Sequence, residues 1–250
     1  MTIPLGPAGL AVGVTAIVAA GGRGTRVGGP VPKQFLDLAG RPVLVRSLEV
    51  LAADPRVDEL VVAAPPGWVD RVWELARQYG IPKLTRVVEG GETRQESVGR
   101  AFGAVSSRPR VVAIHDAARP LLPPALLAGL LEAAGRYPAV IAAVPVRDTV
   151  KEAAPGDPPR VARTLARERL WAAQTPQVFH AHVLEAALAR AREDGFTGTD
   201  EAALVERLGE PVVLYPGSAE NLKLTTPEDF ALAGALLARR HAAAAPPAPA

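Results

Sequence analysis

Glycines 21, 22 and 24 and the positive side chains of Arg23, Arg26 and Lys33 fall within one stretch, VTAIVAAGGRGTRVGGPVPKQF, from Val14 to Phe35. Glycine lets a backbone turn tightly and approach an anion with no Cβ in the way, so main-chain N–H groups can face phosphate oxygens. The guanidinium and ammonium groups nearby add full positive charge. The stretch opens with an apolar run rich in β-branched residues, which reads as a strand. A loop leaving the first strand of an open α/β sheet is where a nucleotide is expected to bind. No Gly-Lys-Ser/Thr completes a P-loop, and a dinucleotide fingerprint would need a small residue where Val27 follows Gly22 and Gly24. Taken alone, the loop leaves a basic turn with no ligand open beside a phosphate loop.

Asp116 is the second residue suited to chemistry. It follows the strand-like run Val111 to Ile114 and should sit at a carboxyl edge, where a carboxylate can hold a hard divalent ion against triphosphate oxygens. The same side chain could instead cap the following turn. His115 has no evident partner for acid–base work and reads as structural. The chain has no cysteine, which rules out disulfides, thiolate nucleophiles and cysteine metal sites and suits a cytoplasmic location.

The elements that must position these residues alternate along the chain. Val43 to Ala53 has apolar residues at helical spacing, and Glu59 to Ala64 is a β-branched run closed by Pro65-Pro66. Trp68 to Tyr79 repeats the helix and Leu84 to Val88 the strand. Thr93 to Glu96 forms a capping box opening a helix through Ala104. Val111 to Ile114 is again strand-like, followed by a helix from about Pro124 to Ala134 and a strand from Val140 to Val144. Pro145 to Leu170 breaks the alternation. Two extended runs, Asp148 to Ala153 and Arg160 to Leu165, flank a proline-glycine cluster and read as a protruding hairpin, with a disordered excursion left open. Helices follow at Ala181 to Arg192 and at Asp200 to Leu208, the latter with Thr199 as cap. Val212 to Tyr215 is the last strand, and a closing helix opens with Thr226 as cap, Pro227 at its first position and Asp229 in its first turn, carrying its apolar face to about Leu237. Helices alternating with buried strands imply an α/β fold with a mainly parallel sheet covered on both faces.

A chain of 250 residues, 48% hydrophobic, can bury one sizeable core. Its 28 basic and 26 acidic side chains nearly balance, which argues against a nucleic-acid or membrane partner. No apolar run approaches the ~20 residues needed to span a bilayer. Leu10 to Ala20 has no basic residue before it and leads into the glycine loop, so it reads as the first strand rather than a signal peptide. Residues 1–9 are expected to be a flexible leader, 10–241 the domain with an arm at about 145–170, and 242–250 a disordered Ala/Pro tail.

Six segments in order, AAGGRGTR with PKQF, GGETRQESV, HDAARP, PVRDTVK, WAAQTPQVF and NLKLTTPEDF, are similar to the 2-C-methyl-D-erythritol 4-phosphate cytidylyltransferase family from about Val14 to Arg240. The resemblance implies a single Rossmann-like nucleotide-diphospho-sugar transferase domain. It also implies transfer of CMP from CTP to 2-C-methyl-D-erythritol 4-phosphate, with Mg2+ as cofactor and a homodimer interlocked through the arm. Arg26 and Lys33 match the family's transition-state-stabilising residues. Ala19, Ala20, Gly21, Gly22, Gly24, Gly91, Glu92, Ser97 and Ala117 match nucleotide-binding positions, with Gly91, Glu92 and Ser97 at the cytosine ring. Asp116 matches the metal position. Arg119, Thr149, Arg167, Thr175 and Lys223 match positions that place the acceptor, and Thr149 and Arg167, flanking the arm, would serve the partner subunit's site. The family often has Asp where Glu92 and Glu220 stand, and an acidic residue where Ala166 precedes Arg167. A sister enzyme using ribitol 5-phosphate, or a catalytically silent nucleotide-binding homologue, would carry much of the same pattern.

Overall fold

The computed structural model describes residues 13–22 and 31–244. The expectations for the leader, for Arg23, Gly24 and Arg26, and for the end of the tail lie outside the described residues. In chain order the elements begin with β1 (Val14–Ala19), a 3-10 turn (Lys33–Phe35), the small hairpin β2 (Asp37–Leu38) and β3 (Arg41–Pro42), α1 (Val43–Ala53), β4 (Val57–Ala64) and α2 (Val69–Gln78). Next come β5 (Leu84–Glu89), α3 (Arg94–Gly103), β6 (Val111–Asp116), α4 (Pro124–Ala133), β7 (Ala139–Pro145), β8 (Lys151–Ala154) and β9 (Arg160–Thr164). A second 3-10 turn (Arg167–Arg169), β10 (Trp171–His180), α5 (Ala181–Glu193), α6 (Glu201–Arg207), β11 (Val213–Pro216) and α7 (Pro227–Ala244) complete the domain.

A seven-stranded sheet, ordered β11-β7-β10-β6-β1-β4-β5, forms the middle layer. Its inner strands β1, β4, β6 and β7 are largely apolar on both faces because helices cover both. Along β1, Val14, Ala16 and Val18 pack with Leu44, Leu48 and Leu127 of α1 and α4. Ile17 points the other way, to Val98, Phe179 and Leu184. A smaller cluster of Leu38, Val43, Leu121, Leu224, Ala233 and Leu237 docks α7. No described helix is long and apolar enough to cross a membrane.

The alternation read from the sequence holds, with three differences. The motif Trp171 to Phe179 is a full central strand, β10, and runs antiparallel to β6 and β7, whereas every other pairing in this sheet is parallel. Pro176 sits where its register slips between Ala173 and Gln177, and a proline inside an apolar run ordinarily argues against a central strand. Thr199 does not cap α6. Asp200 does, its carboxylate accepting from the Ala203 N–H at 3.0 Å; adjacent Thr and Asp are both good caps, and the carboxylate adds a favourable interaction with the helix dipole. Finally, α7 continues past Leu237 to Ala244, so residues 242–244, assigned to the tail, are helical; alanine is the best helix former.

The arm is present as β8 paired with β9, from Lys151 opposite Thr164 to Ala154 opposite Arg160. It extends the hairpin formed by β7 and β10, whose rim is closed by the Val146 N–H donating to the Leu170 carbonyl at 3.0 Å. Its strand residues are exposed nearly throughout, and Val161 is 63% exposed.

Candidate active site

A cavity of about 320 Å³ opens at the carboxyl ends of β1 and β6. From β1 the chain proceeds toward β5 at one edge of the sheet, and from β6 toward β7 and β11 near the other. Ligands of open α/β sheets bind at such a divergence. The cavity is lined by Ala19 to Gly22 after β1, by Lys33 and Gln34, by Gly91 to Arg94 and Ser97 around the start of α3, by Asp116 to Ala118 after β6, and by Lys223.

Each wall is held by identifiable bonds. The buried Gln34 amide donates to the carbonyls of Ala20 at 2.5 Å and Gly22 at 3.0 Å, fixing the first part of the glycine loop. Thr93 caps α3 by accepting from the Glu96 N–H, as the sequence indicated. The returning Glu96 carboxylate takes the Glu92 N–H at 2.9 Å. Ser97 Oγ accepts from the Gly91 N–H at 3.0 Å and donates to the Thr93 carbonyl at 2.9 Å, so this hydroxyl shapes the turn facing the cavity. A Cβ on Gly21 or on Gly90 would lie 2.8 Å from Ser97 Oγ, which is why glycine is required where these loops meet.

Asp116 is the centre of charge. Its carboxylate is 2.7 Å from Lys223 Nζ, accepts from Arg94 Nε at 3.1 Å, and stands 4.0 Å from Arg119 Nε. Burial works to raise the Asp116 pKa, but the charges of Arg94, Lys223 and Arg119 and the bond from Lys223 outweigh it and hold the carboxyl far below its ordinary range. Asp116 is therefore ionised throughout the physiological range. Lys223 is delivered by bonds on both sides of it. The Asn221 amide donates to the Thr175 carbonyl at 2.7 Å, Arg119 Nη1 donates to the Asn221 carbonyl at 2.7 Å, and the Leu224 N–H donates to Ala118 O at 2.8 Å. Lys33 Nζ reaches the Leu224 carbonyl at 2.7 Å, so both lysines come to the same rim.

Thr175 and His115 lie beneath Asp116. The Asp116 N–H donates to Thr175 Oγ1 at 3.0 Å, and Thr175 Oγ1 is 3.1 Å from His115 Nδ1. His115 Nε2 faces the Arg119 carbonyl at 3.1 Å. A carbonyl only accepts, so Nε2 carries the proton and Nδ1 accepts from the threonine hydroxyl. Burial lowers the His115 pKa to about 4, and the ring is neutral. The structural role read for His115 is what the geometry provides.

Of the residues matched from the sequence, the cavity gathers Ala19, Ala20, Gly21, Gly22, Lys33, Gly91, Glu92, Ser97, Asp116, Ala117 and Lys223. Arg119 and Thr175 are buried behind Asp116 and do not line the cavity. Thr149 and Arg167 are exposed at the base of the arm, where Arg167 Nη1 donates to the Arg147 carbonyl at 2.9 Å. Within this one chain they do not line the cavity. Arg94 and Gln34 were not singled out in the sequence, although both lie inside motifs that were. Glu201, which receives a short bond from Arg94 Nη1, had no motif to mark it.

The donor set also bears on a metal. Among the described residues no group of three or more His, Cys, Asp or Glu side chains is placed to hold an ion. One ionised carboxylate at the cavity fits a hard ion that takes its remaining ligands from phosphates and water.

Known proteins resemble this chain in sequence and in fold. The family profile described as 2-C-methyl-D-erythritol 4-phosphate cytidylyltransferase matches residues 14–239. A protein of that name from Symbiobacterium thermophilum is 53% identical over 229 residues, covering 92% of this chain and 94% of its own length. A second, from Pelotomaculum thermopropionicum, is 43% identical over 230 residues, 91% of this chain and 95% of its own. The crystal structure of the Thermus thermophilus enzyme of that name superposes with a TM-score of 0.75 at 36% identity, over 91% of this chain and all (100%) of that one. With the family profile, sequence identity and fold in agreement over nearly the whole domain, the chain belongs to the 2-C-methyl-D-erythritol 4-phosphate cytidylyltransferase family.

Proposed function

We propose that this chain transfers CMP from CTP to 2-C-methyl-D-erythritol 4-phosphate, giving 4-diphosphocytidyl-2-C-methyl-D-erythritol and pyrophosphate in the non-mevalonate route to isoprenoid precursors. The observation that carries this reading is the convergence of Lys33, Lys223 and an ionised Asp116 on a cavity walled by the family's nucleotide-binding segments. An oxygen of the acceptor phosphate attacks the α-phosphorus of CTP, the bond to the β-phosphate oxygen breaks, and pyrophosphate leaves. Such a reaction needs positioning and positive charge rather than a protein nucleophile.

Lys33, together with Arg26 of the same loop, neutralises charge developing on the phosphate oxygens. Lys223 places the acceptor phosphate, and the Gly91 to Ser97 turn receives the cytosine. Asp116 would hold Mg2+, which when bound offsets the charge of the triphosphate. Thr149 and Arg167 act on the acceptor in the partner subunit's site, and Arg119 and Thr175 support it from behind Asp116. This places a homodimer, joined through the arm, in the reaction. Its exposed strands support that reading, since a lone two-stranded ribbon is marginal in water. A cytoplasmic location accords with the absence of cysteine.

The test is pyrophosphate release from CTP and Mg2+ with 2-C-methyl-D-erythritol 4-phosphate or ribitol 5-phosphate as acceptor. Release is expected with the methylerythritol acceptor only. Lys33→Ala should lower it by about 10² to 10³, the effect of losing one preorganised donor. Turnover of ribitol 5-phosphate alone would overturn the acceptor, and silence with both would overturn the enzyme reading.

A further inference from the structure

Arg94 divides its guanidinium between two carboxylates. Nε donates to Asp116 Oδ1, and Nη1 donates to Glu201 Oε2. Nη2 and Glu201 Oε1 are buried without a hydrogen-bond partner. The Glu201 side chain is 1% exposed. It is carried into the interior by the first turn of α6, which β10 holds by two bonds: Gln177 Nε2 donates to Asp200 Oδ2 at 2.7 Å, and the Ala202 N–H donates to Gln177 Oε1 at 3.3 Å.

Burying a carboxylate so completely is costly even when it is paired. The obvious structural reasons do not account for it. Asp200 already caps α6, and Glu201 does not line the nucleotide cavity. Its contact is with the guanidinium that also touches Asp116. Arginine beside a single carboxylate favours a two-pronged pair that engages both oxygens. With Nη1 anchored on Glu201, only Nε rests on Asp116, at Oδ1, and Nη2, which shares an edge with Nε and would complete the fork, has no partner. Oδ2 meets Lys223 at 2.7 Å and stands 4.0 Å from Arg119 Nε; the Lys223 side chain, 42% exposed at the rim, can turn to a phosphate and leave that oxygen open on its outer side.

We propose that Glu201 is a positioning residue of this reaction: by holding Arg94 it prevents the guanidinium from closing over both oxygens of Asp116, so that one oxygen serves the divalent cation arriving with CTP. The inference rests on the reading of Asp116 as the cation's ligand.

The test is calorimetric titration of CTP with and without Mg2+, no acceptor being present. The readout is the metal-dependent tightening, the ratio of the two dissociation constants. In wild type Mg2+ tightens CTP, and Asp116→Asn lacks that tightening; if Asp116→Asn retains it, the reading of Asp116 is what fails. Glu201→Gln should lose about 10- to 100-fold of the tightening, the usual effect of removing a partner behind a metal ligand. CTP affinity without metal should change far less, whereas mere loosening of α6 would weaken both titrations alike. The pair Arg94→Gln with Glu201→Gln removes both buried partners at once, which is less disruptive than orphaning one. It should regain the tightening lost in Glu201→Gln, because no guanidinium remains to close over Asp116. Wild-type tightening in Glu201→Gln, or a double variant no better than the single, overturns the proposal. Should Glu201→Gln fail to fold, the double variant decides: tightening at the wild-type level supports the proposal, and tightening as poor as in Asp116→Asn overturns it.

Discussion

His115 is a buried base whose two nitrogens are both committed, to Thr175 and to the Arg119 carbonyl, so protonation has no place in the folded state. Its pKa, lowered to about 4, lies below that of an unfolded histidine. The unfolded chain therefore binds the proton first, and stability falls as pH drops from about 6.5 toward 4. Urea unfolding should show about 2 kcal/mol lost between pH 7 and pH 5 through this residue. Burial lowers His180 as well and adds to the same slope, so the difference between wild type and His115→Gln isolates His115. Asp116 acts in a separate window: its pKa is depressed, and its contribution is lost only at pH below the ordinary aspartate range. A second expectation concerns Gly21. Gly21→Ala would press a methyl against Ser97 Oγ and disturb the Gly91 turn, weakening CTP binding; Ser97→Ala in the same chain should recover part of the loss, as read by CTP titration. Most cavity-lining residues were legible because they lie in motifs that resemble the family's; by residue type alone the glycine loop also fitted a basic turn without a ligand, and Asp116 a turn cap. Glu201 was not legible. Its importance comes from a bond to a residue 107 positions away, and an acidic residue in a first helical turn is ordinary in any sequence.

At the level of elements, periodicity revealed the parallel strands and the covering helices: the inner strands read as continuous apolar runs, and the edge strands β5 and β11 as short runs set between helices. It could not reveal β10, whose exposed first residues and Pro176 obscure a strand that is buried from Gln174 onward. Nor could it show that β11, a short edge strand, meets α4 in a close approach between Tyr215 and Gly129. A Cβ on Gly129 would come within 2.1 Å of the Tyr215 hydroxyl. Gly129→Ala should therefore destabilise the protein by about 1 to 3 kcal/mol, the usual cost of overpacking, although alanine is the better helix former. Thermal unfolding would check it. A melting temperature equal to or above wild type would mean that β11 yields without cost.

For the whole molecule, the proposed dimer has two chains build each site. If Arg167 acts across the dimer, Lys33→Ala and Arg167→Ala chains, each nearly inactive, should complement when unfolded together and refolded. Statistical pairing leaves about a quarter of the sites intact. No recovery, in a mixture that sediments as a dimer of the 26.1 kDa chain, would place Arg167 in its own subunit's site. The reversal of β10 also bears on how the chain leaves the ribosome. β6 and β7 are made before β10 and are not neighbours, since the later strand lies between them. Until residues 171–180 have emerged, both present unpaired edges, Asp116 lacks its Thr175 support, and the nascent sheet is open at its centre to wrong pairing with other chains. Synthesis interrupted inside the arm would leave a product prone to aggregate, so for this fold translation has to carry through the arm and β10 before the sheet can close.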